Sequence, residues 1–460
     1  MKFLEILFIG FIFSLGIGQL GAINIGPFAN LFVHDLFVAS LVIVFLYQRL
    51  FLRKKLMLPS ISLPIIIFLV WAFIALILGS IKLSLSLQEF IFSFLFLLRL
   101  VAYAGILLIS FNLIRENKNF LSNILKSFLI LGVLISGLGL LQLAFFPNLE
   151  DITFFSGWDP HKGRLFSTFL DPNFVGAFLA LNLVLALILY KSEYWKRKDF
   201  KRLILFGIGF PAVALSFTLS RSAWLLFLAA SAILGFFKSK FYWWFAIIFL
   251  VATFLLIPRS LGRFAEFVPF FTSGGSFEER VEEIDESSAY ARFGSWQRGL
   301  SFSLQSPVYG FGFNTLRYAS SKFGYFGKVG DLGGRAGAGV DSSILFVLST
   351  TGVIGLLLYL SIIYRILKDS FEVLKDKSIN DERKIFGLLV FSTVIALIIE
   401  SNFINSLFYP QIILWLFSFL GIFYSLIEDG VKINKLGDAK VIFRGGLIFN
   451  KPNSKKSKQL

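Results

Sequence analysis

Stretches of about twenty mostly apolar residues recur from one end of this chain to the other, each as long as a helix must be to cross the hydrocarbon of a bilayer. Such runs are too long for barrel strands, so the spans are helical. With 56% hydrophobic and only 16% charged residues, no single soluble core would bury so much apolar surface. The chain is expected to be an all-α polytopic membrane protein. Cysteine is absent, which excludes disulfides and thiolate metal sites, and the only histidines, His34 and His161, are too few for a histidine-built metal centre. The net charge of +16 does not point to nucleic acid, because the basic residues lie between apolar runs, where the positive-inside rule places them.

The order of runs predicts about twelve transmembrane helices with one large, partly helical outer loop between spans nine and ten. Residues 1–258 hold spans one to nine, 259–341 the outer loop, 342–427 spans ten to twelve, and 428–460 a basic cytoplasmic tail. Basic connections such as RLFLRKK, KSEYWKRKDFKR and the stretch from Arg365 to Lys384 all fall on one side, which puts both termini in the cytoplasm. The first run follows a lone Lys2 and lacks a small-residue cleavage site, so it reads as a retained span. The outer loop is too long for a plain connection and is expected to be functional. Within it, ERVEEIDE reads as a solvated helical face, and Ser287 or Ser288 is expected to cap a helix running through Trp296 to about Leu304. No inverted repeat is evident, which favours an enzyme at the outer face over a rocking carrier.

Arginine on the outer side is what the topology rule does not predict. Arg221 sits at the tip of a tight hairpin in SFTLSRSAWL, Arg164 precedes the sixth span in GRLFSTFLDPNF, and Arg292 lies one turn before Trp296. The plain structural reading is that these cations reach lipid headgroups or pair with Asp171, Glu278 and their neighbours. Together they suggest a clamp for a phosphate or diphosphate, which the guanidinium fork matches bidentately, with helix starts near Asn173 and Ser222 adding oriented amides. Asp341 precedes span ten. Its structural reading is a helix N-cap; its functional reading is a carboxylate that takes a proton from an incoming hydroxyl. The glycines at 333, 334, 337 and 339 would let the backbone bend closely around a ligand, or form a connector. Arg99 and Glu400 are expected to form an intramembrane ion pair, and His161 to be solvated.

GRLFSTFLDPNFVGAFLAL, SFTLSRSAWL, the run Arg292-x3-Trp296 followed by SPVYGFGF, and DSSILFVLSTTGVIG, in that order, resemble the O-antigen ligase and O-antigen polymerase superfamily of bacterial inner-membrane glycosyltransferases. The resemblance implies a glycan donor carried on undecaprenyl diphosphate, presented at the periplasmic face and transferred to a glycan or lipid acceptor without metal, nucleotide or other cofactor. Other glycan-assembly membrane proteins would be natural partners. By position, Arg221 and Arg292 would hold the leaving diphosphate, Arg164 would support them, and Asp341 would activate the acceptor. Ligases of the family usually have histidine at that last position, and an aspartate with its ordinary pKa of about 4 is a weaker base. Acidic residues there fit polymerase-like members better, so a polymerase is favoured. A ligase acting on lipid A-core or another acceptor is one alternative, and a lipid-linked glycan exporter is another of a different class.

Overall fold

A computed structural model describes residues 2–26, 29–151, 161–265, 288–324, 339–428 and 431–433. ERVEEIDE, Glu278, Ser287, the glycines at 333, 334 and 337, and most of the basic tail lie outside the described residues.

The fold is a bundle of helices: α1 (Lys2–Ser14), α2 (Val33–Leu50), α3 (Ser62–Leu83), α4 (Leu87–Glu116), α5 (Phe120–Phe145), α6 (Pro172–Tyr190), the short α7 (Glu193–Lys196), α8 (Lys198–Phe217), α9 (Arg221–Phe237) and α10 (Phe241–Leu256). The polar segment after α10 then supplies α11 (Arg259–Ala265), α12 (Ser288–Gln305) and α13 (Leu316–Lys322), and the chain continues through α14 (Ser343–Lys375), α15 (Asp381–Glu400) and α16 (Pro410–Ile427). Nine of the described helices are long and apolar enough to cross a membrane. α9 and α10 are apolar but shorter, and α15 opens on the charged run Asp381-Glu-Arg-Lys384. Each of the twelve expected spans falls on one of these helices. The strands, Ala22–Gly26 with Ala29–Phe32 and Leu56–Leu58 with Val431–Ile433, form two small antiparallel pairs that the apolar pattern did not announce.

α6 and α16 are the hub. Both begin at a proline, whose missing N–H costs nothing in a first helical turn, and both are mostly buried inside the bundle. α16 packs along α4, α6 packs on α8 and α9, and α14 packs on α3 and α15. The outer helices turn residues such as Ile66, Ile67 and Val70 of α3 outward, as a lipid-facing surface requires.

The expected Arg99–Glu400 pair does not form. Arg99 instead meets Asp35 at 3.0 Å, and the same carboxylate accepts the Tyr103 hydroxyl at 2.6 Å and the Phe32 N–H at 2.9 Å. Glu400 lies at the end of α15, wholly buried, and accepts the Ser406 hydroxyl. Hydropathy places both charges at spans but carries no information on which helices are neighbours.

α14 is broken at Gly352, whose φ is 67°. Backbone freed inside a membrane must find partners within the protein. Here the SPVYGFGF segment supplies them. Phe311 and Gly312 donate their N–H groups to the carbonyls of Ser349 and Thr350, both at 2.9 Å, while Val353 donates to the carbonyl of Pro307 at 2.8 Å. Trp71 of α3 donates its indole N–H to the Thr351 carbonyl at 2.9 Å. A Cβ on Gly352 would overlap the Val308 carbonyl, and one on Gly79 would overlap that of Phe311. The segment is therefore wedged, backbone to backbone, between α3 and the break in α14. Because α12 runs directly into it, this wedge fixes α12 against α14.

Candidate active site

The sequence DPN opens α6 by dividing three tasks. Asp171 accepts the N–H groups of Asn173 at 2.7 Å and Phe174 at 3.2 Å, Pro172 needs no acceptor, and the Asn173 side chain is left for another purpose. That purpose is Arg164. Its Nη2 donates to Asn173 Oδ1 at 3.3 Å and its Nε to the Thr218 carbonyl at 2.9 Å, with the residue only 8% exposed. Asn173 Oδ1 also accepts the Ser220 hydroxyl at 3.0 Å, and Ser220 caps α9. The loop before α6 and the α8–α9 tip are thus laced together, and half-buried Arg221 is the first residue of α9 beside them. Four non-glycine residues with positive φ, His161, Ser167, Leu170 and Leu219, fall in these two segments. Backbone in that region persists only where surrounding contacts hold it, as they do here.

Asp341 is not the cap of α14. Ser342 is: its hydroxyl accepts the Leu345 N–H at 3.3 Å. Asp341 stands one residue earlier, and its backbone is taken by α12. Its N–H donates to Ser295 Oγ at 2.8 Å, and its carbonyl accepts the Trp296 indole N–H at 3.0 Å. Burial pushes its carboxyl up to about 6. Arg292 and Arg298 pull it down, and Asp171 pushes it up. On its other side the start of α14 is bound to the turn after α15: Ser343 donates its N–H to the Ser401 carbonyl at 2.8 Å and its hydroxyl to Asn405 Oδ1 at 2.9 Å.

The expected site residues therefore fall into two groups. Arg164 is bonded into the α8–α9 tip next to Arg221, and Arg292 acts through its charge on Asp341. Asp171 belongs to both, because it opens the helix whose Asn173 holds Arg164 and its charge reaches Asp341. His161, expected to be solvated, is 7% exposed in the strained loop. Sequence reasoning missed Asn173 as the partner of Arg164, Ser295 as an anchor for Asp341, and Arg298 as a second cation near it. One signal was available: Arg292, Ser295, Trp296 and Gly299 follow the i, i+3, i+4, i+7 spacing of one helix face.

Residues 206–360, about a third of the chain, match the family model described as O-antigen ligase. The match contains Arg221, Arg292 and Asp341, while Arg164 lies before it. No curated protein matches the chain.

Proposed function

Taking as premise that the chain belongs to the O-antigen ligase and polymerase superfamily, membrane glycosyltransferases, we propose that it polymerises glycan carried on undecaprenyl diphosphate at the outer face of the bacterial inner membrane. The observation that carries this reading is half-buried Asp341, its backbone fixed by Ser295 and Trp296 of α12, its carboxyl pushed up to about 6 by burial and pulled back by the charge of Arg292. An ordinary aspartate is a poor base. Burial lifts this one into the range usual for imidazole, about 6.5, so that near neutral pH it is mostly ionised yet basic enough to take a proton.

In the proposed step the acceptor hydroxyl oxygen attacks the anomeric carbon of the donor and its proton passes to the Asp341 carboxylate. The bond from that carbon to the diphosphate oxygen breaks, and the electron pair leaves on the diphosphate. Arg221 and Arg292 neutralise the charge that develops there, a contribution that is large where water is excluded. Arg164, already bonded to Thr218 and Asn173, holds the hairpin tip that presents Arg221.

The test is to incubate purified protein with the undecaprenyl-diphosphate-linked repeat unit alone and resolve the products by size. A ladder of longer lipid-linked glycans, lost in Asp341→Ala, is expected. Transfer only after lipid A-core or another acceptor is added would make the protein a ligase. No reaction with any acceptor would overturn the enzymatic reading in favour of an exporter.

A further inference from the structure

Asp341 is held by its backbone, and both of the bonds that hold it come from one turn of one helix. We propose that Ser295 and Trp296 are positioning residues that set the register between the proton acceptor Asp341 and the cation Arg292; this rests on the reaction proposed above. The Ser295 hydroxyl accepts the Asp341 N–H at 2.8 Å, and the Trp296 indole donates to the Asp341 carbonyl at 3.0 Å. Arg292 precedes them by three and four residues, so all three project from one face of α12. The separation of Arg292 from Asp341 is then fixed by helix geometry and two hydrogen bonds, and not by the long stretch of outer segment between them.

Three further contacts support the assignment. Trp296 packs at 6.0 Å between ring centroids on Phe403, in the turn that also receives Ser343. Gly299, one turn further along α12, sits against Val340, where a Cβ would lie 3.0 Å from that side chain. Ser342 caps α14 by itself, so helix initiation does not require the Asp341 backbone to be held as it is. A proton acceptor misplaced by about an ångström loses up to roughly a hundredfold in rate.

Simple docking of α12 is the competing role, and the absence of cysteine from this chain allows the two to be separated. A Cβ on Gly299 would lie 3.5 Å from Cβ of Leu345, within disulfide range. Oxidative cross-linking of Gly299→Cys with Leu345→Cys, established first in the otherwise unaltered and active protein because the new Cβ crowds Val340, therefore reports whether α12 is docked. Trp296→Phe keeps the ring and removes the N–H, Ser295→Ala removes the acceptor oxygen, and Ser295→Thr retains it. Each variant is assayed with the undecaprenyl-diphosphate-linked glycan extracted from the cell that makes the protein. Trp296→Phe and Ser295→Ala should lower kcat about tenfold or more with little change in the donor KM, Ser295→Thr should keep most of the rate, and the cross-linking yield should be the same throughout. Unchanged kcat in both variants, or a cross-linking yield that falls in step with kcat, would overturn the inference while leaving the proposed reaction standing. An inactive parent protein would instead remove the reaction, and the inference with it.

Discussion

Asp171 pushes the Asp341 carboxyl upward and Arg292 pulls it down, so two residues from distant parts of the chain tune one carboxyl in opposite directions. The larger cause is burial, which alone favours the neutral acid. If Asp341 must be ionised to accept a proton, kcat/KM should fall tenfold per pH unit below about pH 6. Asp171→Asn keeps a good helix cap and deletes a negative charge, so the acid limb should move to lower pH. Removing the Arg292 charge should move it the other way. A pH–rate profile whose limb stays fixed in Asp171→Asn would separate Asp171 from the reacting group.

Asp341 should also be a site where stability is given up for activity. Its folded carboxyl is raised to about 6, above the unfolded value of about 4, so protonation favours the folded state. That stability is fully present below about pH 4 and is lost as pH rises through about 6. Asparagine carries no charge at any pH. Asp341→Asn is therefore expected to abolish transfer yet stabilise the protein by about 3 kcal/mol above pH 7, with little gain at pH 4. Thermal unfolding at both pH values checks this, and a lowered Tm at pH 7.5 would count against it.

The arginine pair separates support from contact. Arg164 uses two different nitrogens on two different acceptors, Thr218 and Asn173, a planar spread of donors that the single ammonium of lysine does not reproduce. Arg164→Lys should loosen the hairpin tip and weaken donor use about tenfold through KM. Arg221→Ala, which leaves the cap at Ser220 in place, should abolish transfer while the protein still inserts and folds. Full activity in Arg221→Ala would remove it from the diphosphate clamp.

Much of this arrangement was readable in the sequence, for identifiable reasons. Span positions follow from hydropathy, and the α8–α9 hairpin was legible because Ser220, Arg221 and Ser222 interrupt two apolar runs. α12 was legible from Ser288 and from the proline that follows its end. Partnerships across the bundle were not. Pairing Arg99 with Glu400 rests on both being charges at spans, but the carboxylate Arg99 meets is Asp35, on the neighbouring α2. Asp341 and Ser342 are both good caps by residue type, and local sequence cannot distinguish them when the deciding bonds come from Ser295 and Trp296; the cap is Ser342. SPVYGFGF carries part of the family resemblance, and nothing in its sequence says that its backbone completes the hydrogen bonds of a broken helix.

That last arrangement gives a sharp expectation for Gly352. Its φ of 67° with ψ of −172° lies in a region open essentially to glycine alone, at a cost of about 1–3 kcal/mol for a residue with a Cβ, and here the added carbon would also overlap the Val308 carbonyl. Relief requires the SPVYGFGF segment to withdraw, which would break the bonds from Phe311 and Gly312 to Ser349 and Thr350. Since α12 continues into this segment, the disturbance passes to Arg292 and to the Asp341 clamp without any change in those residues. Gly352→Ala should destabilise the protein by more than about 2 kcal/mol and lower transfer in the fraction that remains folded. The cross-link between Gly299→Cys and Leu345→Cys should form less completely in that background, because its two halves are held in place by the wedge. A Gly352→Ala protein with parental Tm and parental cross-linking would show that the helix break is independent of the outer segment.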